Sequence, residues 1–195
     1  MNRYTIHMKK AGIAAFFTGV AVLALSLVIS MVFSDDPIHR SLHVISTVLV
    51  TSCLAYNVYL ELTERKLINS GQCVVIGSGR PGEQFVLLMS LILAVFLLIY
   101  PVFRAGVLNV YAPITIIAIA CPFCMRTTRN RIIIAEEYVV LKDIFVNKPY
   151  ILGYVRDQNT NCLMISCRDG KKFSVRIEPG EVAKLEESNI CQVVH

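Results

Sequence analysis

Charged side chains are scarce in the first two thirds of this chain and missing altogether from four long runs. No Asp, Glu, Lys or Arg occurs in residues 11–34, 41–60, 85–103 or 105–125. Each run has about the length that a bilayer-spanning helix needs, roughly 20 residues. Their lack of charge excludes the intramembrane carboxylates and cations that mark proton relays, ion paths and voltage sensors. There is also no phosphate-cradling P-loop and no Ser/His/Asp arrangement of a hydrolase. Apolar residues make up 55% and charged residues 17%, and the mean hydropathy is +0.59, outside the ordinary range of soluble domains. The first apolar run exceeds the roughly 7–15 residues of a signal-peptide core, so it reads as a retained helix.

The charges that are present lie beside these runs. Arg3, Lys9 and Lys10 precede the first; Arg65, Lys66 and Arg80 separate the second and third; Arg126, Arg129 and Arg131 follow the fourth. The alternate connections hold only Arg40 and Arg104. Basic residues are retained on the cytoplasmic side during insertion, so this distribution predicts a multi-pass inner-membrane protein with both termini cytoplasmic. The net charge of +5 is then a topology signal and not a nucleic-acid footprint. The outer loops are short and contain none of the seven cysteines, so no structural disulfide is implied.

Within the spans, Ala11, Ala15 and Gly19 form a small-xxx-small stripe that suits close helix approach, either within the chain or in a homo-oligomer. Asp36 is placed to cap a helix beginning at Pro37. That helix is expected to run beyond the bilayer core, through the Glu61/Arg65 pair, to a stop at Gly71. Pro113 is expected to kink or break the fourth helix near its outer end. Ser46, Thr47, Thr51, Ser52 and Asn57 make the second helix the most polar, which suits interhelical hydrogen bonds.

After Arg131 the pattern changes to short β-rich segments. Strands are predicted over 131–135, 138–146, 150–156, 162–168 and 173–177, with Asp169-Gly170 as a hairpin turn, a short helix over 181–187 and a last strand over 190–194. The expected organisation is a four-span transmembrane domain, 1–130, followed by a cytosolic β-rich domain, 131–195. At about 65 residues that domain is near the lower limit for an independent core.

The run Ile132-Ile-Ile-Ala-Glu-Glu-Tyr-Val-Val-Leu141, then Tyr150-Ile-Leu-Gly-Tyr-Val155, then Cys162-Leu-Met-Ile-Ser-Cys-Arg-Asp-Gly-Lys-Lys-Phe-Ser-Val-Arg-Ile177 resembles the bacterial PH-like domains of small membrane proteins, the YcxB-like group. The resemblance covers the last third of the chain. It implies a small α+β domain, mostly antiparallel β, that binds or scaffolds without catalysis, and it supplies no site residues.

Four constellations could carry chemistry. Cys121-Pro-Phe-Cys124 is a C-x-x-C pair at the end of the fourth span, and such pairs can exchange disulfides. With no second pair in an outer loop, the two thiols serve equally well as small apolar residues at a helix exit shaped by Pro122. Zinc binding that added Cys162 and Cys167 would lack the usual ligand spacing. Gly77-Ser-Gly-Arg-Pro-Gly82 has the letters of a dinucleotide fingerprint but lacks its βαβ setting, and reads as a turn. His39 and His43, one helical turn apart beside Asp35 and Asp36, could hold zinc or copper, or could be plain interface and capping residues. Arg126, Arg129, Arg131, Lys142 and Lys148 could hold anionic headgroups or a partner, with topology determination as the plainer account of the arginines.

The sequence therefore points to a non-enzymatic membrane protein, needing no cofactor, whose cytosolic domain binds a protein partner or the lipid surface. One version is an immunity protein against a membrane-acting toxin. The competing readings are a thiol-disulfide oxidoreductase built on Cys121 and Cys124, and an oligomeric channel or carrier subunit.

Overall fold

The computed structural model describes residues 5–77, 82–103, 111–127, 130–142, 144–157, 162–177 and 181. The expected strand at 190–194 lies outside these residues, as do Arg80, Arg104, Arg129 and all but the first residue of the helix expected at 181–187.

Three helices are long and apolar enough to cross a membrane. They are α1 (Ile6–Phe33), α2 (Pro37–Asn69) and α3 (Glu83–Ile99), the last prolonged by a 3₁₀ turn at Tyr100–Phe103. The fourth, α4 (Tyr111–Thr127), has 17 residues, a length of roughly 25 Å. It is shorter than the expected span, whose first six residues, 105–110, lie outside the described set. Phe16, Phe17, Val28, Met31, Leu88 and Ile92 all turn apolar side chains outward. An exposed apolar surface of this kind is solvated by lipid and not by water.

Local chemistry sets the helix ends. The Asp36 carboxylate accepts the Ile38 N–H at 2.8 Å, and Pro37 takes the first helical position, where a missing N–H costs nothing. At the other end of α2 the Gly71 N–H bonds the Ile68 carbonyl, with Gly71 at φ +69°, as the expected stop requires. Pro113 does not break α4. The helix starts at Tyr111, which puts Pro113 in the first turn, and the proline inside the helix is Pro122.

The small-residue stripe of α1 is buried at Ala11, Gly19, Ser26 and Ser30. Gly19 lies against Ser52 and Val48 of α2, so this stripe packs within the chain. Val50 and Leu54 of α2, Ala94 and Leu97 of α3, and Tyr111 and Ala118 of α4 form the core of the bundle.

Two small antiparallel sheets form the rest. The first has the order β1 (Val74–Ile76), β2 (Ile132–Ile134), β3 (Tyr138–Leu141), β4 (Ile144–Asn147); the second is β5 (Ile151–Asp157), β6 (Cys162–Cys167), β7 (Lys172–Arg176). The expected single strand 138–146 is a hairpin. The chain reverses after Leu141 with Lys142 at φ +55°, and Leu141 pairs with Ile144. The segment before Gly77 is also a strand, β1, with Val74 opposite Ile134 and Ile76 opposite Ile132.

Ile76, Ile132, Ile134, Val139, Leu141 and Val146 from the first sheet share one core with Ile151, Tyr154, Leu163, Ile165 and Val175 from the second. β-branched residues dominate it, as suits strands buried on the inner face. The Asn130 amide donates to the Arg176 carbonyl and accepts the Arg176 N–H, each at 2.7 Å, taking the place of a neighbouring strand at the end of β7.

The compact units do not follow chain order. One comprises Lys10–Glu61 and Gly82–Met125; the other, the sheet unit, comprises Met1–Lys9, Leu62–Pro81 and Arg126–His195. The 130/131 boundary thus gathers only one of the three pieces of the sheet unit.

Candidate functional site

The sheet unit carries three features with chemical potential. The first is a buried ion cluster. Arg126 Nη2 donates to Glu64 Oε1 at 2.5 Å, and Arg131 Nη2 donates to Glu64 Oε2 at 2.7 Å. Glu64 is 1% exposed and the two arginine side chains 5% and 15%. Burial on this scale is costly for isolated ions, and one carboxylate with an oxygen for each guanidinium offsets it. Two of the five basic residues expected to meet headgroups or a partner are thus engaged inside the unit. Glu64 escaped the sequence reading because basic residues after a span read as topology signals on their own; a carboxylate one turn from the Glu61/Arg65 pair was the available hint.

The second feature is an open cleft of about 290 Å³ whose lining includes Cys73, Val74, Ile134, Glu136 and Lys148. Lys148 opens the 3₁₀ turn between β4 and β5, and its N–H bonds the Glu137 carbonyl at 3.0 Å. Burial pushes the Cys73 thiol up from its ordinary value, which keeps it protonated and a poor nucleophile. Burial, with Cys73 and Glu137 nearby, raises the Tyr138 hydroxyl too. Lys142 is half-buried at its own hairpin and does not line the cleft.

The third is the outer face of the second sheet. On β7 the side chains alternate: Phe173 and Val175 turn toward the core, while Lys172, Ser174 and Arg176 are exposed. Register carries this face across the sheet, with Val155 opposite Met164 and Met164 opposite Ser174. Leu152, beside an irregularity in the β5–β6 pairing, Val155 and Met164 are 55%, 43% and 38% exposed.

The remaining predicted groups are dispersed. His39 Nδ1 lies 2.6 Å from Asp36 Oδ2, and that contact, with the capping bond to Ile38, holds the Asp36 carboxyl below its ordinary value. His43 is fully buried, its ring 6.0 Å from that of Tyr111. Asp35 is exposed. No group of three or more His, Cys, Asp or Glu among the described residues is arranged to hold a metal ion.

Cys121 and Cys124 are free, exposed thiols inside α4 and not beyond its end. Cys162 and Cys167 stand at opposite ends of β6, about 17 Å apart at strand rise, too far to share one ion. Gly77 holds φ +82° with the Asn130 carbonyl where a Cβ would project, and its N–H donates to Glu181 Oε1 at 2.9 Å. Sterics explain that glycine without a nucleotide. No family model matches this chain, and neither a curated protein nor a solved structure shows significant similarity to it.

Proposed function

We propose that this chain is a non-enzymatic multi-pass inner-membrane protein whose sheet unit, PH-like in general architecture, is a cytoplasmic binding unit for a protein partner or the lipid surface. The observation that carries this reading is the apolar outer face of β5–β7. Leu152, Val155 and Met164 are exposed together on a strand face, outside the helices whose outward apolar residues lipid would cover. Exposed apolar clusters of this kind mark contact surfaces.

A four-crossing topology draws support from the composition of the sheet unit. Its three pieces precede α1, follow α2 and follow α4, so each pair of helices between them must return the chain to the same side. Lys9, Arg65, Lys66, Arg126 and Arg131 all belong to that unit, which by the charge rule makes the side cytoplasmic. Catalysis by thiol exchange is less well served. Reactive C-x-x-C cysteines draw on a helix N-terminus, whereas Cys121 and Cys124 lie in the last two turns of α4.

A photo-crosslinking amino acid in place of Met164, activated in growing cells, tests the reading. Adducts to a protein or to lipid are expected from this position and not from an exposed control at Glu136. Equal, diffuse labelling at both positions would sink it.

A further inference from the structure

We propose that the outer face of β5, β6 and β7 docks on an anionic lipid bilayer, an inference that rests on the sheet unit being a binding unit. Its centre is apolar and its border is basic. Val155 and Met164 sit opposite each other in register, with Leu152 exposed on the same strand as Val155. Along β7, Lys172 stands opposite Ser166 and Arg176 opposite Cys162, which places both cations on the face that Met164 shares. The β6–β7 hairpin adds exposed Arg168 and Lys171. The acidic groups of this region are Asp157, in the Cys162–Arg176 row, and Asp169, whose carboxylate accepts the Lys171 N–H at 3.1 Å. Four cations against two carboxylates leave the surface positive. Apolar side chains that enter the headgroup boundary, ringed by Lys and Arg that hold anionic headgroups, are the chemistry of an interfacial membrane contact.

Two considerations favour a bilayer over a protein or a second copy. Three apolar side chains are too few for an interface of standard size, about 800 Å² per partner. They suffice for a surface that the chain's own spans hold at high effective concentration, and β1 begins only a few residues after α2 ends. A second copy seated face to face would set Lys172 and Arg176 against their own equivalents, and cations on a sheet edge oppose self-pairing.

The chain contains no tryptophan, so Val155→Trp creates a single fluorescent reporter at the centre of the face, with Met164→Trp as a second should the first fail to fold. The full chain is reconstituted, one copy per nanodisc, in brominated phosphatidylcholine with or without phosphatidylglycerol. The expected result is blue-shifted emission quenched by bromine in the anionic discs and weaker quenching in the neutral ones. Adding Lys172→Glu and Arg176→Glu is expected to weaken docking in the anionic discs by roughly tenfold or more.

Quenching that is absent from both discs, or equal in both and indifferent to the charge reversals, overturns the proposal. So does a blue shift without bromine quenching that appears only with several copies per disc, which assigns the face to a second copy. A Met164 crosslink to a protein in cells, together with no quenching in discs, overturns the bilayer assignment while the binding-unit reading stands. Loss of both signals overturns both.

Discussion

Glu64 gives one carboxylate oxygen to each of two guanidiniums, and at 1% exposure it has little water to fall back on. Its removal leaves two buried cations facing each other, whereas removal of Arg131 leaves the pair with Arg126 in place. Glu64→Ala is therefore expected to cost about 3–5 kcal/mol, the range for breaking a buried pair, with Arg131→Ala costing less. Chemical unfolding of the full chain in detergent, followed through the sheet signal, measures both. A Glu64→Ala penalty below about 1 kcal/mol would place the cluster with solvent-screened surface pairs and refute the argument. The arginines were legible in the sequence and their partner was not. A cation beside a span already has a sufficient reason to be there, so nothing in its position asks for a counter-ion. Only the fold brings residue 64 to residues 126 and 131.

At the scale of elements, length and periodicity were informative where one solvent imposes a strict demand. Bilayer thickness makes a span long and uncharged, so α1, α2 and α3 could be read directly, and Asp36-Pro37 marked the start of α2 through capping chemistry alone. Short strands carry less information. β1 is three residues long beside a glycine motif, and its partner β2 lies beyond two further helices. The β3–β4 reversal uses Lys142 at positive φ, where Gly or Asn would have announced a turn. The outer face of β5–β7 was half legible. Alternation along β7 separates Lys172, Ser174 and Arg176 from Phe173 and Val175, but no sequence period reveals that the first sheet covers only one side.

The small-residue stripe of α1 was visible too, and the fold supplies its occupant. Gly19 meets Ser52 and Val48 of α2, so Gly19→Leu is expected to push the helices apart and cost about 1–3 kcal/mol, as overpacking does. Gly19→Ala is expected to cost less, because the nearest obstacle is the Ser52 hydroxyl, which can rotate away. Unfolding midpoints of the two variants in detergent should rank in that order, and equal midpoints would show that α1 and α2 do not need this close approach.

For the molecule as a whole, the sheet unit constrains the membrane topology. A unit built from the N-terminal segment, the α2–α3 connection and the chain after α4 can assemble only if all three reach the same side. Two crossings separate the first piece from the second. Two more must separate the second from the third, so α4 has to cross despite its 17 residues. A length of roughly 25 Å falls short of a hydrocarbon core of about 30 Å, a mismatch met by local thinning at modest cost. The native thiols report the outcome. Cys73 and Cys162 are half-buried in the sheet unit, so a membrane-impermeant maleimide is expected to leave them unmodified in intact cells and to label Cys162 once the membrane is opened. Cys73 should react more slowly, since burial holds its thiol protonated. The rate should climb with pH past the ordinary thiol value of 9.0. The stability that the protonated thiol contributes is complete below that value and is lost as pH rises through the elevated one. Labelling of Cys162 from outside intact cells would invert the protein, put its basic flanks on the wrong side of the charge rule, and remove the cytoplasmic leaflet as the surface the β5–β7 face could meet.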